Sequence, residues 1–184
     1  FGADGTARIW RAESGAPVHT LGGHGGAVTA ALFHPDGRMV LSAAEDALLR
    51  VWETESGQLM KELRGHSAPI RCACYSPDGT LILSAGDDGV ARLWNARSGE
   101  LEAALEGAGS AISCAGFSPD GSQIVAIADR SILFWHTQLR IPRLRFGNHP
   151  KERDHEDRIY AYAFSPAGSQ FATASADGTA GLWT

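Results

Sequence analysis

The sequence predicts an all-β protein made of repeated four-stranded antiparallel sheets, and three observations predict it. Tryptophans recur at intervals of 42, 42, 41 and 48 residues: Trp10, Trp52, Trp94, Trp135 and Trp183. An aspartate stands six residues before each of them: Asp4, Asp46, Asp88, Asp129 and Asp177. Turns spelled FHPDG, YSPDG, FSPDG and FSPAG begin at residues 33, 75, 117 and 164. A fixed period of this length is typical of a repeat architecture.

Each period contains four short β-rich runs separated by turn residues. Between residues 64 and 105 the runs are PIRCACYS, TLILSA, VARLWN and GELEAAL, with PDG, GDDG and RSG between them. Pro77 presets φ at the first corner, and Gly79 can adopt the positive φ that the turn requires. One such sheet cannot bury both of its faces, so the sheets must stack around an axis. The repeat therefore predicts a β-propeller, with one sheet per blade.

The repeated residues also resemble a known family. GH, followed by SPDG and then S-x-x-x-D-x-x-x-x-x-W, is similar to the WD40 repeat over essentially the whole chain. The dipeptide that names the family is absent, because the residue after tryptophan is Arg11, Glu53, Asn95, His136 or Thr184. That position is loosely kept in the family. The resemblance implies a WD40-type β-propeller with about 4.4 repeats of about 42 residues, and a function in binding other proteins.

The repeat divides the chain into five blade segments. Residues 1–21 supply the last two strands of one blade, 22–63 and 64–105 are full blades, 106–146 is a degenerate blade, and 147–184 lacks its last strand. These 17 strands are too few for the common seven-bladed ring. We therefore expect a partial propeller. We favour a fragment of a longer protein, and the alternative is self-association of two chains through their unfinished blades.

Histidine, a hydroxyl residue, aspartate and tryptophan recur together at fixed offsets. The three sets are His24, Ser42, Asp46 and Trp52; His66, Ser84, Asp88 and Trp94; and His155, Thr173, Asp177 and Trp183. Serine, histidine and aspartate also form the triad of acyl-transfer enzymes. A catalytic triad normally occurs once, whereas three copies favour a structural role. The resemblance implies a buried hydrogen-bond chain in each blade, which we call a tetrad, and these residue types can satisfy one another's donors and acceptors.

The segment 106–146 departs from this pattern. Ala108 replaces the histidine, Ala126 replaces the hydroxyl residue, and one residue is missing before Asp129. Asp129 and Trp135 are kept. We expect a shorter turn between the second and third strands of this blade, and weaker tethering within it.

The antiparallel order places the loops between blades and the turns between second and third strands on one face, the top face. The residues just before the repeat aspartates should lie at its rim: Ala3, Glu45, Asp87, Ala128 and Ala176. Glu45 and Asp87 would make two neighbouring blades acidic there. This suggests a basic protein or peptide as the partner.

One insertion interrupts the period. Six extra residues lie between Trp135 and His155, and because IPRLRF can still form a strand, they should lengthen the loop that follows it. Loops on rigid scaffolds often carry function. The insertion would project a group of polar side chains from the top face as candidate binding residues: Asn148, Lys151, Glu152 and Arg153. The alternative is a solvated loop with no binding role.

Composition argues against several function classes. The 184 residues carry 16 basic and 21 acidic side chains, a net charge of −5, which argues against nucleic acid and anionic membrane surfaces as partners. No apolar run reaches the length of about 18 residues that a membrane span needs. Cys72, Cys74 and Cys114 lack CxxC spacing and favour core packing in a reducing compartment, so we expect a cytoplasmic protein. Nothing indicates a metal site or a cofactor.

The leading interpretation is a non-catalytic scaffold for protein–protein interaction. The alternative is a regulatory or sensor propeller of a larger bacterial signalling enzyme, such as a signal-transduction ATPase or a kinase, because the regular SPDG spelling resembles bacterial WD40 arrays. A catalytic propeller would need a cluster of acids, bases or metal ligands outside the repeat pattern. The sequence indicates no such cluster.

Overall fold

The computed structural model describes residues 2–138, 142–146 and 155–183, and these residues form 17 β-strands in five sheets. The first sheet contains β1 (Ala7–Trp10) and β2 (Pro17–Leu21). The second contains β3 (Val28–Phe33), β4 (Met39–Ala44), β5 (Leu48–Glu53) and β6 (Leu59–Arg64). The third contains β7 (Ile70–Tyr75), β8 (Leu81–Gly86), β9 (Ala91–Asn95) and β10 (Leu101–Leu105).

The fourth and fifth sheets are built in the same manner. The fourth contains β11 (Cys114–Phe117), β12 (Gln123–Ala128), β13 (Ser131–His136) and β14 (Pro142–Phe146). The fifth contains β15 (Ile159–Phe164), β16 (Phe171–Ser175) and β17 (Ala180–Trp183). Within the described ranges, no helix is long and apolar enough to cross a membrane.

Every sheet is an antiparallel meander whose strands pair in chain order. The four strands predicted between residues 64 and 105 are β7 to β10. Gly79 has a φ of +75°, as the predicted turn requires. In the described residues, the five sheets contain two, four, four, four and three strands in chain order. These neighbouring antiparallel sheets confirm the prediction of an all-β, partial propeller.

The inner strands of the second, third and fourth sheets are buried on both faces. In β4, Val40 packs into the core shared with the first sheet, while the next residue, Leu41, packs into the core shared with the third sheet. In β12, Ile124 and Val125 likewise face different cores. Because side chains alternate across a strand, a continuous apolar run can serve two cores at once.

Each core therefore lies between two neighbouring sheets. The repeat tryptophans belong to these cores: Trp52 packs between the first and second sheets, Trp94 between the second and third, and Trp135 between the third and fourth. All three are at most 4% exposed. Phe134 and Phe171 contribute to the core between the fourth and fifth sheets. Burial against the neighbour is the main stabilising interaction of each sheet.

Backbone hydrogen bonds outside the strands fix the two ends of each sheet. On the top face, Glu45 N–H donates to Ala27 O and Asp87 N–H donates to Pro69 O, each over 2.9 Å. These bonds join the turn between second and third strands to the loop before the first strand. On the opposite face, Thr54 N–H donates to the carbonyl of Arg38 over 2.9 Å. Each end of a sheet is thus a connected set of loops.

The fourth sheet has the shorter turn that the sequence predicts. Only Asp129 and Arg130 lie between β12 and β13, whereas three residues separate β4 from β5. Asp129 has a φ of +56°. Shortening the turn also draws Ala128 into the end of β12, where it is 1% exposed. The expectation that Ala128 lies at the top rim is therefore wrong, because the missing residue makes it part of the strand.

Candidate functional site

The third sheet shows the tetrad geometry in full. Trp94 Nε1 donates to Ser84 Oγ over 2.8 Å, and Ser84 Oγ lies 2.8 Å from His66 Nε2. His66 Nδ1 lies 2.9 Å from Asp88 Oδ2. An ionised carboxylate only accepts, so His66 Nδ1–H donates to Asp88 and Ser84 O–H donates to His66 Nε2. Each of the four tetrad side chains therefore has a hydrogen-bond partner within the tetrad, with a donor facing an acceptor.

Asp88 also holds the backbone on both sides of the tetrad. Its carboxylate accepts a hydrogen bond from Ser67 N–H, in the loop before β7, over 3.2 Å. It accepts another from Val90 N–H, in the turn before β9, over 3.2 Å. The aspartate therefore ties a loop and a turn of the top face to the buried indole of β9.

The structure brings the other two predicted sets together in the same way. His24 Nε2 lies 2.8 Å from Ser42 Oγ, which accepts from Trp52 Nε1 over 2.8 Å, and His24 Nδ1 lies 3.0 Å from Asp46. In the fifth sheet, Thr173 Oγ1 lies 2.8 Å from His155 Nε2 and accepts from Trp183 Nε1 over 2.9 Å. His155 Nδ1 lies 3.0 Å from Asp177 Oδ2.

Two of the tetrads each include an arginine that was not among the predicted site residues. Arg92 Nη1 donates to Asp88 Oδ2 over 2.7 Å, and Arg50 Nη1 donates to Asp46 Oδ2 over 3.1 Å. Arg50 also pairs with Glu62 over 2.7 Å. The signal was available in the sequence, since Asp-x-x-x-Arg-x-Trp recurs at a spacing of 42 residues. In the fifth sheet Thr179 takes over, with its Oγ1 donating to Asp177 over 2.6 Å.

Burial and the arginines determine how the tetrads of the second and third sheets titrate. Burial lowers the pKa of the His66 imidazole below its ordinary value, and the charge of Arg92 lowers it further against the opposing effect of Asp88. Burial likewise lowers the pKa of His24. Burial acts to raise the pKa of Asp88, but His66 and the Val90 amide outweigh it and leave that pKa lowered. Neutral imidazole beside ionised carboxylate is thus the favoured state.

The tetrads do not have the geometry of an acyl-transfer site. Ser84 is 0% exposed, and its hydroxyl oxygen is engaged by both an indole and an imidazole. Ser42 is equally buried. A serine nucleophile must reach a substrate, whereas these hydroxyls lie inside the packed sheets. The His, Ser and Asp side chains of these sets therefore serve the interior of the sheet.

The fourth sheet shows the effect of losing the tetrad. Ala108 and Ala126 are 2% and 0% exposed and belong to the apolar core between the third and fourth sheets. Trp135 is 1% exposed in the same core. The side chain of Asp129 is 56% exposed, compared with 5% for Asp88. Loss of the histidine leaves the repeat aspartate facing solvent at the top face.

The acidic rim predicted from Glu45 and Asp87 is altered by an arginine that the sequence analysis did not place there. Arg71 Nη1 donates to Glu45 Oε1 over 2.9 Å, and its Nε donates to Asp87 Oδ1 over 2.9 Å. One guanidinium therefore bridges the second and third sheets and neutralises part of the acidic charge. The prediction of an acidic rim at Glu45 and Asp87 is therefore wrong, because the Arg71 side chain of β7 lies between the two carboxylates and the sequence does not reveal its direction.

The predicted loop residues Asn148, Lys151, Glu152 and Arg153 lie outside the described residues. Their role stays a prediction. The strand predicted before that loop is present as β14.

The cysteines pack beside the cores. Cys72 and Cys74 contact the core between the third and fourth sheets, and Cys114 contacts the core between the fourth and fifth. Burial raises the pKa of each thiol, that of Cys74 to about 12. Over residues 2–138, 142–146 and 155–183, no group of three His, Cys, Asp or Glu side chains is arranged to hold a metal ion.

Removing the tetrad histidine should destabilise the protein. We expect His66→Ala to lower the free energy of unfolding by about 1–3 kcal/mol, because Ser84 and Asp88 lose a buried hydrogen-bond partner. Urea denaturation of the 184-residue chain measures this. His19→Ala is the matched control, since His19 belongs to no tetrad and, among the described residues, its side chain hydrogen-bonds to the carbonyl of Glu55 at an exposed site. Equal stability of His66→Ala and wild type would contradict a structural role.

Stability should also fall as the pH is lowered from 7 to 5. The pKa of His24 and of His66 is lower in the folded chain than in the unfolded chain, so the unfolded chain binds more protons in this window. Their contribution is complete above the ordinary histidine pKa and is lost as the pH falls below it. Thermal unfolding of wild type and of the double variant His24→Gln, His66→Gln measures the effect. The variant should show a flatter profile, and a parallel profile would contradict this origin.

Comparison with known proteins agrees with this architecture. The sequence model of the family described as WD domain, G-beta repeat matches residues 15–53, 57–95, 99–136 and 149–184, which together make up most of the chain. A search of curated proteins gave no match. The three tetrads fall within the matched segments, whereas β1, which contains Trp10, and β14 lie outside them. The chain therefore belongs to the WD40 repeat family.

Proposed function

We propose that this chain is a non-catalytic scaffold that binds a protein or peptide partner through its top face. WD40 repeats generally mediate protein–protein interaction. The observation that carries the proposal is that the His, Ser, Thr and Asp side chains of the three tetrads hydrogen-bond one another inside the sheets. Because these groups hydrogen-bond one another inside the sheets, the polar groups left for an outside molecule are those on the loops and turns.

The top face is the better candidate of the two ends because its side chains vary most between sheets. The residue before the repeat aspartate is Glu45, Asp87, buried Ala128 or exposed Ala176 in successive sheets. On the opposite face the Pro-Asp-Gly turn recurs almost unchanged, with aspartates bonded within their own turns: Asp78 accepts from Ser76 Oγ over 2.6 Å. A surface that differs from repeat to repeat can distinguish one partner from another.

We also propose that the protein works in the cytoplasm. Cys72, Cys74 and Cys114 are free thiols, and burial raises the pKa of each, so they are neutral at physiological pH. A reducing compartment suits a chain that carries free thiols.

Affinity capture with matched variants of the two faces tests the proposed function. The top-face variant combines Glu45→Arg with Ala176→Glu, and the opposite-face variant combines Glu55→Arg with Ala167→Glu. Both variants make the same two residue changes at sites that the structure shows on the surface. The captured material is identified by mass spectrometry from lysate of the source cells, and each variant is checked for thermal unfolding.

We expect wild type and the opposite-face variant to capture the same proteins, and the top-face variant to lose them. Capture that is unchanged in both variants would contradict a top-face site. If wild type captures no protein above the level of bare resin, the scaffold function itself is contradicted.

A further inference from the structure

A cavity of about 510 Å³ opens on the top face where the third, fourth and fifth sheets meet. Its size falls in the range of known ligand pockets. One side is formed by Arg71 and Asp87 of the third sheet, and the other by Asp129 and Arg158. The loop 110–113, which leads into the fourth sheet, also lines the cavity with small or apolar side chains.

The residues around this cavity depart from the repeat. At the position of Arg71, the preceding repeat has Thr29 and the following repeat has Ser113. At the position of Arg158, the two preceding repeats have Pro69 and Ala111, respectively. The repeat aspartate of the fourth sheet is exposed because Ala108 has replaced its histidine partner. Residues common to all repeats build the scaffold, so a cluster of unshared residues around one cavity points to a specific role.

The charges of the cavity are balanced in number but not all paired. Arg71 is engaged by Glu45 and Asp87. Among the described residues, the cationic atom nearest to the Asp129 carboxylate is Arg130 Nε at 3.9 Å, which is beyond a hydrogen bond. In the part of the chain that the structure describes, the Arg158 guanidinium has no carboxylate within ion-pair distance. The backbones of the two segments are close, since Ile159 N–H donates to the carbonyl of Asp129 over 3.0 Å. Among the described residues, one carboxylate and one guanidinium that line the cavity therefore have no charged partner within hydrogen-bond distance.

We propose that this cavity binds a peptide segment that carries a basic and an acidic side chain close together. The basic side chain is held by Asp129, with the Asp87 carboxylate on the far side of the cavity. The acidic side chain is held by Arg158, whose planar guanidinium suits a carboxylate. The small lining residues Ser110 and Ala111 leave room for the peptide backbone.

A ligand of one sign fits this cavity less well. A purely basic peptide would bring a second cation toward Arg158, and a purely acidic peptide would bring an anion toward Asp129. Like charges at such distances repel, and they select against the wrong partner. The mixed-charge peptide is the ligand that leaves each exposed charge of the cavity with an opposite partner.

This inference rests on the proposed function, and fluorescence anisotropy with labelled synthetic peptides tests it separately. The probes share a glycine and serine frame and carry Arg-Glu, Arg-Gln, Gln-Glu or Gln-Gln at the centre. Loss of one charged hydrogen bond lowers affinity by about tenfold, so Arg-Glu should bind about tenfold more tightly than either single-charge peptide. The 184-residue chain is used throughout at low salt, because exposed charges are screened.

Variants assign the binding to the cavity. Asp129→Asn and Arg158→Gln should each weaken binding of the Arg-Glu peptide by about tenfold, while Arg130→Gln, at an exposed neighbour that does not line the cavity, should not. Arg158→Glu should instead prefer a fifth probe, which carries Arg-Arg in the same glycine and serine frame. All four substitutions lie at exposed positions, and thermal unfolding verifies the fold of each variant.

Equal affinity of wild type for the Arg-Glu and Gln-Gln peptides would overturn the inference. So would a preference for Arg-Glu that Asp129→Asn and Arg158→Gln leave unchanged. In either case a partner that the top-face variant fails to capture would still support the scaffold function, so the two proposals fail separately.

Discussion

A sheet that is apolar on both faces must be covered on both faces, and the rest of this structure depends on that constraint. The alternating side chains of β4, Val40 and Leu41, enter two different cores. Each sheet thus depends on its two neighbours, and the cores lie between sheets and not within them. This requirement explains why Trp52, Trp94 and Trp135, each packed against the preceding sheet, are at most 4% exposed.

The tetrads solve a second problem that the packing creates. Loops at the top of each sheet have backbone groups close to apolar cores, and those groups need partners. Asp46, Asp88 and Asp177 supply them: each accepts from the residue after the tetrad histidine and from the turn that comes after the aspartate itself. Where the histidine is lost, as at Ala108, the fourth sheet keeps its core but releases its aspartate. The same substitution removes a tether and creates an exposed charge.

The sequence predicts the fold because its pattern recurs, and a recurring pattern identifies the residues that share one environment. The resemblance to WD40 repeats then implies the tetrads among those residues. The strand order, the turn at Gly79 and the shorter turn before β13 can all be derived from the recurring pattern. Arg50 and Arg92 recur as well, so the sequence also contains the signal for these two arginines. Arg71 could not be placed from sequence, because its contacts with Glu45 and Asp87 join two sheets and depend on the direction of a side chain. The cavity beside Arg158 depends on how three sheets pack, which no single repeat encodes.

Amide hydrogen exchange tests most directly whether the tetrads hold the top-face loops. In four repeats, an equivalent amide comes directly after the position of the tetrad histidine. The amides of Gly25, Ser67 and Glu156 donate to a tetrad aspartate. The fourth amide, that of Gly109, comes after Ala108, which replaces the histidine. The account predicts slow exchange at the first three and fast exchange at Gly109. Protection of Gly109 equal to that of Ser67 would show that packing alone orders these loops, and would contradict the role given to the tetrads.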